Sequence, residues 1–253
     1  MKQIVSNRYF LGRKCVFCDK SKLSKLKDKR IKCKSCNKKY SLTKLKRDIL
    51  VLYYFYLEIS GRKTAKEMNL NYKTVQSRFI DFRKSIKEYC DDQAKKLNGK
   101  LELDESYFGG KRKGNRGRGA FNKAIVFGIL ERKGKIYLKI VENVSKETLL
   151  TAIEKKTEKG SVFYTDGFKS YASLSQFGKH NVIKHSEDEF AKGHNHINGI
   201  EGFWSYAKER FHKYHGIQKN NYPLYLKEME FRYNFRNENV FNLLFDICIR
   251  RSI

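Results

Sequence analysis

Two cysteine pairs near the start, Cys15-x-x-Cys18 and Cys33-x-x-Cys36, constrain this chain more than any other feature. Fourteen residues separate them, one fewer than the usual window for paired CxxC zinc sites. Two such pairs supply four thiolates, the donor set of tetrahedral zinc with Zn–S bonds of about 2.3 Å. Sulfur fills all four positions, so the expected ion is single and structural. The segment between the pairs has hairpin length, which predicts a zinc ribbon over residues 8–43. So small a module cannot fold on an apolar core, and metal binding would supply its folding energy. The other two cysteines, Cys90 and Cys248, stand alone. This is not the framework of a secreted disulfide protein, and the N-terminus has no signal-peptide pattern. A reducing, cytoplasmic location is the expectation, on the nucleoid if the source is bacterial.

Charge narrows the partners. Lys and Arg number 55 against 27 Asp and Glu, a net +28. The first 100 residues hold 28 basic and 9 acidic residues, so most of the excess lies in the N-terminal part. Such a field attracts polyanions, and double-stranded DNA is the expected partner. No stretch nears the ~18 apolar residues of a membrane span. Apolar residues make up 40% of the chain and aromatics 14%, enough for a core and too much for disorder.

Behind the ribbon, residues 44–97 read as helical. Leu45, Ile49, Leu52, Tyr53 and Tyr56 recur at helical spacing, and Gly61 is expected to end that helix. Helices near Thr64–Met68 and Tyr72–Tyr89, with Asn69 and Asn71 between them, fit a helix-turn-helix. Ala65 allows a close helix crossing, and Val75, Phe79 and Phe82 would face inward. Lys73, Thr74, Gln76, Ser77 and Arg78 would face outward, where such side chains can enter a major groove.

Asn98-Gly99 marks the expected start of a further domain, residues 98–253. Its pattern changes to strand (Lys100–Tyr107), hairpin (Ala124–Leu130 and Ile136–Val141, turning at Lys133-Gly134), helix (Lys146–Glu158, opened by Ser145) and strand (Ser161–Thr165). A helix around Tyr171–Phe177, a weak strand near Val182–Lys184, and helices at Ile197–His215 and Leu224–Phe235 follow, with Pro223 between the last two. This order predicts a mixed α/β sheet with flanking helices.

Within that domain Asp104 nears the end of one strand, Asp166 directly follows another, and Glu201 lies inside a helix. Converging carboxylates repel unless they share a cation. Oxygen-only ligation suits Mg²⁺ or Mn²⁺, and two such ions about 3.5–4 Å apart can drive phosphodiester cleavage. Spacing alone does not single out this triple among 27 acidic residues. Glu105, adjacent to Asp104, would point to the opposite strand face. Trp204 reads as packed helix aromatic or as a base-stacking platform, and His194 and His196 as DNA contacts or caps. Lys111, Arg112, Lys113, Arg116 and Arg118 form a basic, Gly-rich loop straight after the first strand, placed for DNA backbone contact.

The segments LELDESYFGGKR, VFYTDGFKSY, HNHINGIEGFWSYAKERFHKYHGI and YLKEMEFRYNFRN resemble the DDE transposases of bacterial insertion sequences with an ISXO-like catalytic domain. The related Merlin-type transposases are similar too. The resemblance runs over about residues 8–250 and includes the zinc ribbon. It implies a ribonuclease-H-like fold, with Asp104, Asp166 and Glu201 as ligands of two Mg²⁺ or Mn²⁺ ions. It also implies a lysine seven residues after the glutamate, the place of Lys208. Glu201 and Lys208 share a helix face, so Lys208 can reach a phosphate near the metals. Asn198, one turn earlier, and His194 are the rival third ligands; Glu228, Arg232 and Asn234 fall in a family motif without a derivable role. The implied function is cleavage of transposon-end DNA and joining of its 3′-OH to target DNA, by a homodimer or larger assembly. The alternatives are an inactive or domesticated zinc-ribbon regulator, and a nuclease of the same fold that does not rejoin DNA.

Overall fold

The computed structural model describes residues 14–93, 95–109, 123–183, 196–214 and 216–250. It divides into two compact units, one of residues 1–89 and 237–253, the other of residues 90–236.

The first unit opens with an antiparallel sheet of three short strands in sequence order: β1 (Leu23–Lys25), β2 (Ile31–Cys33) and β3 (Lys39–Tyr40). The two cysteine pairs fold alike. Cys15 N donates to Lys20 O and Cys33 N to Lys38 O, each closing a turn over its pair. Asp19 and Asn37, the residues directly after each pair, both take left-handed backbone (φ 58° and 59°), a conformation that short Asx side chains tolerate best.

Three helices follow: α1 (Leu42–Tyr56), α2 (Gly61–Glu67) and α3 (Tyr72–Asp92). Ser41 caps α1 and Ser60 caps α2, each accepting from the backbone N–H three residues on. Gly61 thus begins a helix and does not end one. The preceding helix stops at Tyr56, and Glu58 turns left-handed (φ 57°) before the Ser60 cap restarts the spiral. Helix α2 and helix α3 are joined by a short turn with Asn69 at φ 50°. Val75, Phe79 and Phe82 are buried as expected, with Leu45, Ile49, Leu52 and Phe55 of α1.

The second unit carries a five-stranded mixed sheet. Its strands are β4 (Lys100–Phe108), β5 (Ala124–Glu131), β6 (Ile136–Val141), β7 (Val162–Asp166) and β8 (Lys179–Ile183), in the order β6-β5-β4-β7-β8. The first three form an antiparallel meander; β7 runs parallel to β4, and β8 to β7. Helix α4 (Lys146–Lys156) connects the meander to β7. It is capped by Ser145, whose Oγ accepts from Thr148 N. Helices α5 (Asn198–Lys213) and α6 (Tyr222–Asn234) come after β8. This is the ribonuclease-H-like arrangement. Residues 171–177, expected to be helical, form only 3-10 turns at Lys169–Tyr171 and Leu174–Gln176, because Tyr171 and Leu174 are drawn individually into the core.

Alternation along the strands builds two cores. Leu101 and Leu103 of β4, with Phe127 and Ile129 of β5, pack against Leu149 and Ile153 of α4. Val126 and Leu130 of β5, with Leu138 of β6, pack against Ile200, Phe203 and Trp204 of α5 and Leu226 and Met229 of α6. Helix α6 also closes the edge of the sheet. Asn234 accepts from Ile136 N at 2.7 Å and donates to Ile136 O at 2.9 Å, and Glu230 accepts from Leu138 N at 2.8 Å. Backbone groups that edge strand β6 would leave open to another chain are thereby used. That gives Asn234 of the fourth motif a role, while Glu228 pairs with Arg232 within α6 at 2.9 Å.

The sequence pattern assigns the last segment to the α/β domain, and the structure corrects this. Helix α7 (Val240–Phe245) and the wider turn Asp246–Arg250 belong to the first unit. Phe241 meets Tyr53 and Tyr56 of α1 edge-on, and Arg250 donates to Val16 O and to Asp19 Oδ2. The apolar run from Val240 to Ile249 has its complement on α1 and α3, so burial carries the chain back to its start.

Candidate active site

Glu102, Asp104 and Ser106 alternate onto the β4 face covered by α5, while Leu101, Leu103 and Glu105 turn to the other. Strand β7 lies parallel beside β4 with Lys100 opposite Val162 and Glu102 opposite Tyr164. Asp104 and Asp166, the last residue of β7, each lie two residues beyond the last of these pairs on their own strand. Glu201 stands in the first turn of α5, exposed, on the stripe that also holds Trp204 and Lys208.

Asp104 feels the charges of the other two carboxylates. Asp104 is pushed up to about 6, chiefly by burial and further by the charges of Asp166 and Glu201, against the pull of the Glu105 backbone N–H and the Trp204 indole. Asp166 is turned by its own loop, since its Oδ1 accepts from Phe168 N at 3.1 Å. The segment beyond it is tied down on the far face, where buried Tyr171 donates its hydroxyl to Glu105. Burial, and then the charge of Glu105, hold that phenol well above its ordinary range. Glu105 therefore belongs to the opposite face, as alternation predicts, and ties the loop after Asp166 to the strand that carries Asp104.

Helix α5 is anchored at the end nearest Glu201. Its N-cap residue, Ile197, offers no side-chain hydrogen bond. Glu102 supplies one from the sheet: Oε2 accepts from Ile200 N at 2.9 Å and Oε1 from Arg132 Nε at 2.8 Å. Arg132 in turn donates to the His196 carbonyl and lies 3.8 Å over the Tyr164 ring. Glu102 is 1% exposed, and a buried carboxylate is tolerable only with such partners. A Cβ at Gly199 would come within 2.8 Å of Glu102 Oε2, so this helix end sits flush on the carboxylate because position 199 is glycine. A cleft of about 560 Å³ opens beside this anchor, with Lys100, Lys133, His196 and Tyr233 on its walls.

Trp204 is the packed helix aromatic and not a base-stacking platform: it is 4% exposed and its Nε1 donates to Asp104 Oδ2 at 3.0 Å. One predicted site residue behaves otherwise than expected. Arg78, read as facing DNA, donates to buried Asp48 of α1 at 2.9 Å and reaches Asp81 at 3.4 Å. Asp48 sits in a polar run of α1 and needs a cation once buried, which one sequence window does not reveal. Lys73, Thr74 and Ser77 are exposed and Gln76 is half-buried. Lys208 is exposed two helical turns beyond Glu201, and Asn198 is exposed at the first position of α5. His194 and the basic loop with Lys111, Arg112, Lys113, Arg116 and Arg118 lie outside the described residues.

Sequence reading misses the Glu102–Arg132 anchor and the Trp204–Asp104 bond. One signal for the second is present: Gly128 interrupts an apolar strand, and a strand-interior glycine marks a close approach.

In the ribbon, the four cysteine sulfurs lie within 4.8 Å of one another, with Cys15 to Cys36 at 3.7 Å and Cys18 to Cys33 at 3.6 Å. A tetrahedron with 2.3 Å Zn–S bonds has edges of about 3.8 Å, so the four sulfurs fit zinc.

A family model described as the ISXO2-like transposase domain matches residues 96–234. A Haemophilus influenzae protein named an uncharacterized transposase-like protein is 47% identical over 104 residues, 40% of this chain and 83% of that one. Among solved structures, the catalytic core domain of BIV integrase aligns with 51% of this chain and 80% of its own at 12% identity, with a TM-score of 0.35. The Mos1 strand transfer complex aligns with 76% of this chain and 73% of its own at 11% identity, with a TM-score of 0.34.

Proposed function

Because this chain belongs to the ISXO2-like transposase domain family, we propose that it binds the ends of its own element, cuts them by metal-dependent hydrolysis and joins the freed 3′-OH to target DNA. The observation that carries the proposal is that buried Asp104, on the strand beside the one that ends in Asp166, feels the charges of both Asp166 and Glu201. A carboxyl raised chiefly by burial, and further by two neighbouring carboxylates, is a site short of positive charge, and a divalent cation relieves that shortage. Asp104, Asp166 and Glu201 would hold two Mg²⁺ or Mn²⁺ ions. Once bound, such ions activate the attacking oxygen and offset charge on the leaving one.

The chain's own residues do the rest. Asp104 and Asp166, on adjacent strands, define the floor of the site. Glu201 closes it from α5, whose first turn Glu102 and Arg132 hold against the sheet. Its carboxylate is favoured as third ligand over Asn198, because its charge acts on Asp104. Lys208 projects from the same helix stripe toward a backbone phosphate. Lys100 and Lys133, on the wall of the neighbouring cleft, extend the positive track. The loop holding Lys111, Arg112, Lys113, Arg116 and Arg118 would grip the backbone beside Asp104. Water attack at the element end releases a 3′-OH, which then attacks a target phosphate in line, with no covalent protein intermediate.

The ribbon, stapled by one zinc on Cys15, Cys18, Cys33 and Cys36, and the helix pair bearing Lys73, Thr74, Gln76 and Ser77 would recognise the terminal repeats. Two ends must be processed together, so a dimer or larger assembly on double-stranded DNA is expected. No helix among the described residues is long and apolar enough to cross a membrane.

Strand transfer tests the proposal. Protein, end-containing DNA, Mg²⁺ and a target plasmid should yield joined product, and Asp166→Asn should abolish cleavage while end binding persists. Cleavage without joining would make the chain a nuclease, and binding with neither a regulator.

A further inference from the structure

We infer that Trp204 is a positioning residue of the carboxylate centre: its indole N–H fixes the orientation in which Asp104 meets Asp166 and Glu201 around a cation. The inference rests on the reading of Asp104 as a cation ligand.

The neighbouring strand makes room for this contact. Across the β4–β5 ladder, Asp104 stands opposite Gly128. A Cβ at Gly128 would fall 2.8 Å from Cζ2 and 2.9 Å from Cη2 of Trp204, and 3.1 Å from Ile200 Cδ1. The indole therefore lies across β5 in space that any other residue at 128 would fill. From there Nε1 reaches Asp104 Oδ2 at 3.0 Å. Phe108 and Phe203 meet the indole edge-on, with centroids 6.0 and 5.5 Å away.

Packing accounts for the bulk of the ring over Gly128 but calls for no polar atom. What the indole adds is one donor, and a buried N–H needs an acceptor. The acceptor is a carboxylate of the centre, which makes the bond charge-assisted and directional. It commits one lone pair of Oδ2 and removes the freedom of Asp104 to turn away from its neighbours. Donors behind metal ligands act in this way, and their loss typically lowers metal affinity about 10- to 100-fold. Trp204 is also three residues after Glu201 on α5. One rigid helix thus carries both the third carboxylate and the donor that orients the first.

Trp204 is the sole tryptophan of the chain, so indole fluorescence and the single indole N–H resonance report on it alone. The test uses full-length zinc-loaded protein and Mn²⁺ as the probe. In the wild type, Mn²⁺ should quench the indole emission saturably, and the indole resonance should move in Asp104→Asn. Trp204→Phe keeps an aromatic ring on α5 and loses the donor. Its Mn²⁺ affinity, read from the EPR signal of free Mn²⁺, should fall about 10-fold or more while the chain still melts cooperatively. Gly128→Ala, which displaces the indole, should lower the affinity in the same direction. Equal Mn²⁺ affinity in wild type and Trp204→Phe overturns the inference and leaves Asp104 as a ligand. Absence of Mn²⁺ binding in the wild type overturns the ligand reading itself. If Trp204→Phe does not fold, an indole resonance that stays in place in Asp104→Asn overturns the inference.

Discussion

Replacing Asp104 by asparagine should make the metal-free protein more stable at neutral pH while it removes the activity. Burial, with the charges of Asp166 and Glu201 added, moves this carboxyl from 3.8 to about 6 in the folded chain. The folded state therefore holds a proton that the unfolded chain has lost between those two values. Stability falls as pH rises through that window, and the full cost is present above pH 6. A rise of that size corresponds to about 3 kcal/mol at most. Asparagine keeps an oxygen to accept from Trp204 and carries no charge, so it recovers most of that sum. At pH 8 the second unit of Asp104→Asn should resist unfolding by about 3 kcal/mol more than wild type, roughly 10 °C in the midpoint for a unit of this size. Near pH 5 the gain should halve, and near pH 4 it should almost vanish, to about 0.5 kcal/mol. The measurement is urea or thermal unfolding of both proteins across that range. Resin-treated buffers serve better than a chelator, which would strip the four-sulfur site. Adding Mg²⁺ at pH 8 should then stabilise wild type alone, by mass action. An Asp104→Asn protein no more stable than wild type at pH 8, or a gain that persists at pH 4, would refute the reasoning.

Glu102→Ala should cost about 3–5 kcal/mol in urea unfolding, because it takes the carboxylate partner from half-buried Arg132 and leaves Ile200 N–H without its acceptor; wild-type stability would disprove the anchor. Elemental analysis should find one zinc per chain, and Cys18→Ser should abolish both the zinc and the dispersed amide resonances of the ribbon, with the melting of the α/β unit unchanged. Arg78→Ala should destabilise the helical unit by about 1–3 kcal/mol, since buried Asp48 loses its 2.9 Å partner and keeps only the longer contact to Arg47. Lys73→Ala should leave stability unchanged and reduce the salt slope of end binding by about 1; the opposite pattern for the pair would restore Arg78 to the DNA face.

Local patterns are legible in the sequence where one contact partner decides the outcome. The spacing of Cys15, Cys18, Cys33 and Cys36 requires only a zinc-sized ion. Alternation through Leu101 and Leu103 requires only a core on one side, and it correctly turns Glu105 away from Asp104. The Ser145 cap and the Lys133-Gly134 hairpin are equally local. Gly61 misleads because a glycine serves at either end of a helix, and the Ser60 cap beside it outweighs the stop signal. Residues 171–177 mislead because their apolar side chains answer to the core and not to a helical period.

From its sequence alone, then, this chain determined a four-sulfur module, a basic helical segment, a strand-led α/β unit and the carboxylates available to it. Only the tertiary structure decided how those carboxylates are held. Gly128 is empty so that Trp204 can reach Asp104 across a strand, Glu102 serves as the cap that Ile197 lacks, and residues 240–250 return to the first helices. Each of these pairs residues far apart in the chain, and each depends on a close approach that folding alone creates. A period of two or 3.6 residues records which face a side chain takes; it cannot record which distant group will meet it there.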